Sequence, residues 1–207
     1  MGAAEDVVSA ADAIGPLGTI RDDDPVWAYN DGPTGWTAAR TVEHIVDALL
    51  FYAGQVARRA HGRLPVLRDG RRAPPSAQLD NARTAAHVLA GQLRDLGSDV
   101  AWHPSGLADA AGWSGMAVTE LLVHGSDAAH LVGVELDLPS DVSLRALNRV
   151  FPWVDTTLGD PGRLLLAVTG RTRVEGLPHD PEWWWQSAPL TEWNGQPRRR
   201  DRPPFWS

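Results

Sequence analysis

Val118-Thr119-Glu120-Leu121-Leu122-Val123-His124-Gly125-Ser126-Asp127 is an apolar run broken by side chains that hold protons or metals. Read as a helix, positions four apart advance about 40° around the axis, so Glu120 and His124 share one face a turn apart. Asp127, three residues on, points roughly the same way. Ser114 is a plausible cap for this helix, which runs from about Gly115 to Val132 with Gly133 as its stop.

Four other segments carry the same period. Residues from about Ala4 to Leu17 present Val7, Val8, Ala11 and Ile14 as a stripe, ended by Gly15-Pro16. Thr37 caps a long helix reaching to about His61, whose face of Val42, Ile45, Val46, Leu49, Leu50 and Ala53 is broken by His44. A third runs from about Ser76 to Leu96, ended by Gly97, and another from Asp141 to Leu158. The segment from Gly18 to Gly35 and the stretch carrying Trp102, Pro104 and Gly106 read as loops, and His61 to Pro75 as a polar connection. Beyond residue 160 the texture changes. Leu164-Leu165-Leu166-Ala167-Val168-Thr169 and Thr172-Arg173-Val174-Glu175 look like two short strands around Gly170-Arg171. The expectation is a mainly α chain: a helical bundle over residues 1–160 and a short Trp-rich extension over 161–207, packed on it and containing a few β-strands.

A carboxylate and an imidazole on one helix, facing an imidazole on another, can hold a divalent metal with coordination positions left open. His44, Glu120 and His124 are therefore candidate ligands, and open positions imply chemistry rather than a structural staple. The same residues also permit a Glu–His hydrogen bond in a helix interface, because a carboxylate on an apolar stripe must be paired in some way. Asp127 has two readings, as a support for a ligand imidazole or as the partner of an arginine on a neighbouring element. Asp47 reads best as an exposed helix acid, and His61, His87, His103, His130 and His179 lack partner spacing. Gly35-Trp36-Thr37 before the His44 helix is echoed by Gly112-Trp113-Ser114 before the Glu120 helix, a repeated device for setting two ligand helices in register.

Composition removes several chemistries. The 207 residues contain no cysteine and, among 19 basic residues, no lysine. Thiolate ligands, a cysteine nucleophile, a Schiff-base lysine and a P-loop lysine are thus excluded. A net charge of -7 gives no electrostatic footprint for nucleic acid. Arg198, Arg199, Arg200 and Arg202 read as a solvated basic tail. No basic leader and no run of about 18 apolar residues is visible, so the expectation is a soluble, cytoplasmic protein. Ten tryptophans fill bundle ends and dock the tail, and since Trp183-Trp184-Trp185 cannot all face one way, at least one lines a surface or pocket.

Gly35-Trp36-Thr37 leading to His44, followed by Glu120-Leu121-Leu122-Val123-His124-Gly125-Ser126-Asp127, resembles the DinB superfamily over roughly residues 5 to 160. It is most similar to the actinobacterial branch typified by mycothiol-dependent maleylpyruvate isomerase. That resemblance implies a four-helix bundle with a divalent metal, zinc by default, at one end, held by His44, Glu120 and His124. It also implies a low-molecular-weight thiol such as mycothiol as cosubstrate, activated for transfer to, or isomerisation of, a small electrophile. An external thiol suits a chain without cysteine. Arg40, Arg83 and Arg171 are candidates for holding substrate carboxylates. The chain departs from the pattern in its short C-terminal segment and in Ser126, where many relatives carry a larger aromatic residue. Metal-activated water in a hydrolase and a non-catalytic small-molecule-binding bundle are the alternatives, and a homodimer is compatible with either.

Overall fold

The computed structural model describes residues 2–65 and 73–200. Among them are six α-helices: α1 (Ala3–Ala13), α2 (Ala38–Ala57), α3 (Pro75–Leu96), α4 (Ala110–Val132), α5 (Ser140–Val150) and α6 (Pro161–Val168). A two-stranded antiparallel hairpin, β1 (Ala101–His103) and β2 (Gly106–Ala108), links α3 to α4. The chain is mainly helical. No helix among the described residues is long and apolar enough to cross a membrane.

α4 is the centre of the molecule. Nearly all its side chains are buried, including Trp113, Met116, Leu121 and Leu122, each worth about 1.5–3 kcal/mol when fully removed from water. α1 and α2 each pack against both α3 and α4, α5 lies on α4, and α6 lies on α5. The α2 stripe of Val42, Ile45, Leu49 and Val56 faces this core, and α3 offers mostly alanine and leucine there, small enough for its neighbours to come close.

Caps explain most of the boundaries. Thr37 accepts from the Arg40 N–H at 3.1 Å, as expected, and Pro75 opens α3, whose C-terminus is Gly97 at φ +60°. α4 begins earlier than Ser114. Its cap is Asp109, which accepts from the Gly112 N–H at 2.7 Å and from Arg149 at 2.6 Å. Ser114 instead sits inside the helix and donates to the Ala3 carbonyl at 2.6 Å, tying α4 to the start of α1. α1 is shorter than its stripe suggests, passing into a 3₁₀ turn over Gly15–Thr19. α5 stops at Val150 because Phe151 precedes Pro152, which disfavours helical geometry before it and cannot donate to the ladder.

Two expectations about strands are overturned. Leu164–Val168 is helical, not extended: Asp160 accepts from the Arg163 N–H at 2.9 Å, and Pro161 occupies the first turn. A short apolar run is ambiguous by periodicity, and this cap decides it. Thr172–Glu175 forms no strand. The strands lie instead at Ala101–Ala108, read from sequence as loop because three residues per strand carry too little alternation to register. Gln55 anchors this hairpin, its Nε2 donating to the Trp102 carbonyl at 2.7 Å.

The segment after α6 folds back over the end of α5. Arg149 holds it through the Gln186 and Ser187 carbonyls at 2.8 and 3.0 Å. An isolated antiparallel bridge joins Trp183 to Arg199. The basic tail is held against the fold, with Arg198 and Arg200 half-buried and Arg199 still exposed. Arg198 donates to Gln186 at 2.8 Å, Arg199 to Asp180 at 2.7 Å, and Arg200 lies over the Trp184 ring at 4.8 Å. Arg202 falls outside the described residues.

At Gly125, beside His124, α4 passes close to Ile14 at the end of α1. A Cβ there would run into the Ile14 Cγ2 methyl, and Ile14 is itself fully buried. Gly125→Ala is expected to destabilise the fold by about 1–3 kcal/mol through overpacking, despite alanine's better helix propensity. Chemical denaturation of the variant measures this, and an unchanged midpoint would mean the α1–α4 contact is looser than drawn.

Candidate metal centre

α2 presents His44 and α4 presents Glu120 and His124 at one end of their shared interface. One ligand atom from each of the three lies within 4.8 Å of the others. The Nε2 atoms of His44 and His124 are each 3.3 Å from the same oxygen, Glu120 Oε2. Neither contact is aligned as a hydrogen bond, and Oε2 is buried without a hydrogen-bond partner. Two ligands at zinc bond lengths in a tetrahedral array stand ~3.3–3.4 Å apart, so both Glu120–His edges fit one ion. The imidazole pair spans a wider gap that an ion would draw in. The donor set fits a divalent metal, and this group could hold one.

The second oxygen of Glu120 is already engaged. Tyr52 on α2 donates its hydroxyl to Oε1 at 3.1 Å, so the carboxylate offers a single oxygen to an ion. Coordination positions are thereby left open. Behind His124, its Nδ1 lies 3.1 Å from Asp127 Oδ2. Arg171 clamps Asp127 from the far side, Nε to Oδ1 at 3.1 Å and Nη2 to Oδ2 at 2.8 Å. Asp127 thus touches both kinds of partner that the sequence offered it, the His124 imidazole on one side and an arginine on the other.

These contacts set the proton positions of the metal-free protein. Burial pushes the Glu120 carboxyl up, but the adjacent His124 and His44 imidazoles outweigh it and hold it well below the usual range. Burial pushes the His124 imidazole down, but Asp127 and Glu120 outweigh that and raise it to about 9. Burial also raises the Asp127 carboxyl, and His124 and Arg171 more than reverse the effect.

The surrounding residues are mixed in how far sequence foretold them. Trp36 lies 4.7 Å from the His44 ring and 6.0 Å from that of His124, whereas Trp113 is a core residue inside α4, against Tyr52 at 5.1 Å. The two Gly-Trp motifs are thus not equivalent. An open cleft of about 810 Å³ leads to the site, lined by Trp183, Trp184, Trp185, Arg171 and Arg200 beside the ligands. Arg40 lines it too, with its charge shared by Glu43 and Asp47 at 3.1 and 3.4 Å. Asp47 is mostly buried rather than exposed, at 14% of its side chain. Arg83 is not brought to the site: it faces Asp12 at 3.9 Å.

Tyr52, His103 and Arg200 were not singled out as site residues from sequence. Tyr52 sits two turns beyond His44 on α2, a spacing that could have found it. Nothing local marks the other two, since His103 arrives on the hairpin and Arg200 on the folded-back tail.

No family model, no curated protein and no solved structure matches this chain.

His124 ordinarily titrates near 6.5 and is raised to about 9 in the metal-free fold. The stability this contributes is complete below pH 6.5 and is lost as pH climbs through 9. The melting temperature of the metal-free protein is expected to fall across that window, and His124→Gln to flatten the fall. Because ligand imidazoles must be neutral, zinc added near pH ~7.5 should also release about one proton. Calorimetry in buffers of different ionisation enthalpy reads that proton directly.

Proposed function

We propose that this protein is a metal-dependent enzyme of the DinB type, in which His44, Glu120 and His124 hold a divalent ion, zinc by donor set. The cosubstrate on this reading is a low-molecular-weight thiol of the mycothiol kind, transferred to a small electrophile or used to isomerise it. The observation that carries the proposal is the buried, unpartnered Glu120 Oε2 facing two imidazole nitrogens at 3.3 Å each. The packing of α1 and α2 on α3 and α4 supports a four-helix arrangement of that type, as do the two motif segments read from sequence.

When bound, the ion supplies Lewis acidity that lowers the pKa of a thiol or water at its open positions. The chain's own residues do the rest. Asp127 and Arg171 hold His124 in one ring orientation, and Tyr52 restricts Glu120 to one free oxygen. The three tryptophans give the cleft a low-dielectric wall, beside which charge interactions are stronger than in water. Arg200 gives the cleft a cation without an anionic partner among the described residues. Its Nε is buried and unbonded, and burial lowers its pKa, so it suits a carboxylate on the thiol or the electrophile.

Elemental analysis of purified protein is expected to find about one divalent ion per chain, lost in the His44→Ala, His124→Ala double variant. Incubation of the loaded protein with mycothiol and a panel of small electrophiles should then consume thiol, followed with a thiol-reactive dye. Failure to take up zinc, nickel, iron or cobalt would overturn the reading. Uptake without thiol consumption, but with ester or amide cleavage, would favour activated water instead.

Arg200→Gln should raise KM for a carboxylate-bearing substrate about 10- to 100-fold, the worth of a hydrogen bond to a charged group, with metal content unchanged. An unaltered KM would return Arg200 to a purely docking role on Trp184.

A further inference from the structure

A second, smaller cavity of about 70 Å³ adjoins the metal centre. It shares Trp36, Arg40, His44 and Glu120 with the open cleft, then continues away from it to Phe51 and His103. The two spaces therefore meet at the same ligand pair and otherwise have different walls. Two compartments meeting at one centre suit two reactants, a large one entering through the cleft and a compact one seated within.

His103 decides what the inner compartment accepts. It is 1% exposed, held edge-on by the rings of Tyr52, Trp113 and Trp185 at 5.5, 5.3 and 5.7 Å. Its Nδ1 lies 2.5 Å from the Ser105 hydroxyl and accepts from the Ser105 backbone N–H at 3.1 Å. A backbone N–H can only donate, so Nδ1 is the acceptor and the proton of the neutral ring sits on Nε2. Nε2 has no hydrogen-bond partner among the described residues. Burial keeps this ring neutral, with its pKa pushed down to about 3, so it offers an N–H donor and no charge.

The remaining walls agree. Trp36, Ala48 and Phe51 are apolar or aromatic, and the cations of Arg40 and Arg63 are matched in number by the carboxylates of Asp47 and Glu120. The size of the compartment admits a few waters, or a carbonyl-bearing fragment of comparable bulk. A ring N–H without a protein partner on the wall of this space is free to donate to an acceptor that enters it.

We infer that the inner compartment seats a compact carbonyl group of the electrophile, with His103 Nε2–H donating to the carbonyl oxygen while the thiol occupies the open cleft. The inference rests on the two-substrate reading above. It makes His103 a binding residue that orients and polarises the carbonyl, not a proton donor that turns over.

The test uses cobalt-loaded protein and propionamide as a stand-in for the carbonyl group, followed by proton NMR. A fragment seated beside the centre is broadened by the paramagnetic ion. Broadening is expected in the wild type. It should weaken at least tenfold in apparent affinity in His103→Leu, with the cobalt absorption spectrum unchanged, and recover in part in His103→Gln, which keeps an N–H. Ala48→Leu, which fills the inner compartment without touching the cleft, should also abolish it, and serves if His103→Leu does not fold. Equal broadening in wild type and Ala48→Leu would place the amide in the cleft and overturn the inference. So would a cobalt protein that broadens nothing, where the compartment holds water alone. A wild-type protein that takes up no cobalt would instead remove the metal reading and this inference with it, an outcome visible in the cobalt spectrum before any amide is added.

Discussion

A carboxylate buried near the middle of a helix that is otherwise apolar is the constraint on which this site depends. Glu120 could not remain ionised there alone, because removing an isolated charge from water costs far more than the packing of α4 returns. The fold answers with a specific set of groups: two imidazoles from different helices, a phenol on the other oxygen, and a salt-bridged aspartate behind one imidazole. Each has a reason to be where it is only because Glu120 is charged. Remove the carboxylate and Tyr52 and His44 lose their shared partner, while His124 keeps only Asp127.

The same arrangement places rigid scaffolding around an open cleft. The three candidate donors sit on α2 and α4, not on loops, and α4 is pinned to α1 both by the Ser114–Ala3 hydrogen bond and by the close pass at Gly125. The variable walls, the hairpin and the folded-back tryptophan segment, are carried on short or irregular elements. The most deeply packed elements therefore lie under the candidate donors, and the irregular ones at the rim, where changes in sequence cost the core little. Arg149 couples the two levels, since one guanidinium caps α4 through Asp109 and also holds the carbonyls of Gln186 and Ser187.

Much of the helical framework could be read directly. Thr37, Pro75, Gly97 and Gly133 mark their boundaries by local backbone chemistry, and apolar stripes three and four residues apart identify the buried faces. Where two local signals competed, the sequence misled. Ser114 and Asp109 are both good caps, and the choice of Asp109 depends on Arg149, forty residues away. Leu164–Thr169 has the composition of a strand, and only the Asp160-Pro161 start and packing on α5 make it a helix. Asp47 looked like an exposed acid because nothing nearby shows that its face is covered.

By itself, the sequence determined that Glu120, His124 and Asp127 share a helix face, because the helical period alone fixes that relation. It also determined that any sulfur chemistry must use an external thiol, since the chain has no cysteine. The tertiary structure decided which distant groups complete the site. His44 meets Glu120 through the packing of α2 on α4, His103 arrives on a hairpin tied to Gln55, and Arg200 on a tail folded back over α5. Local periodicity carries no information about such encounters, which are set by how buried faces pair and how loops close.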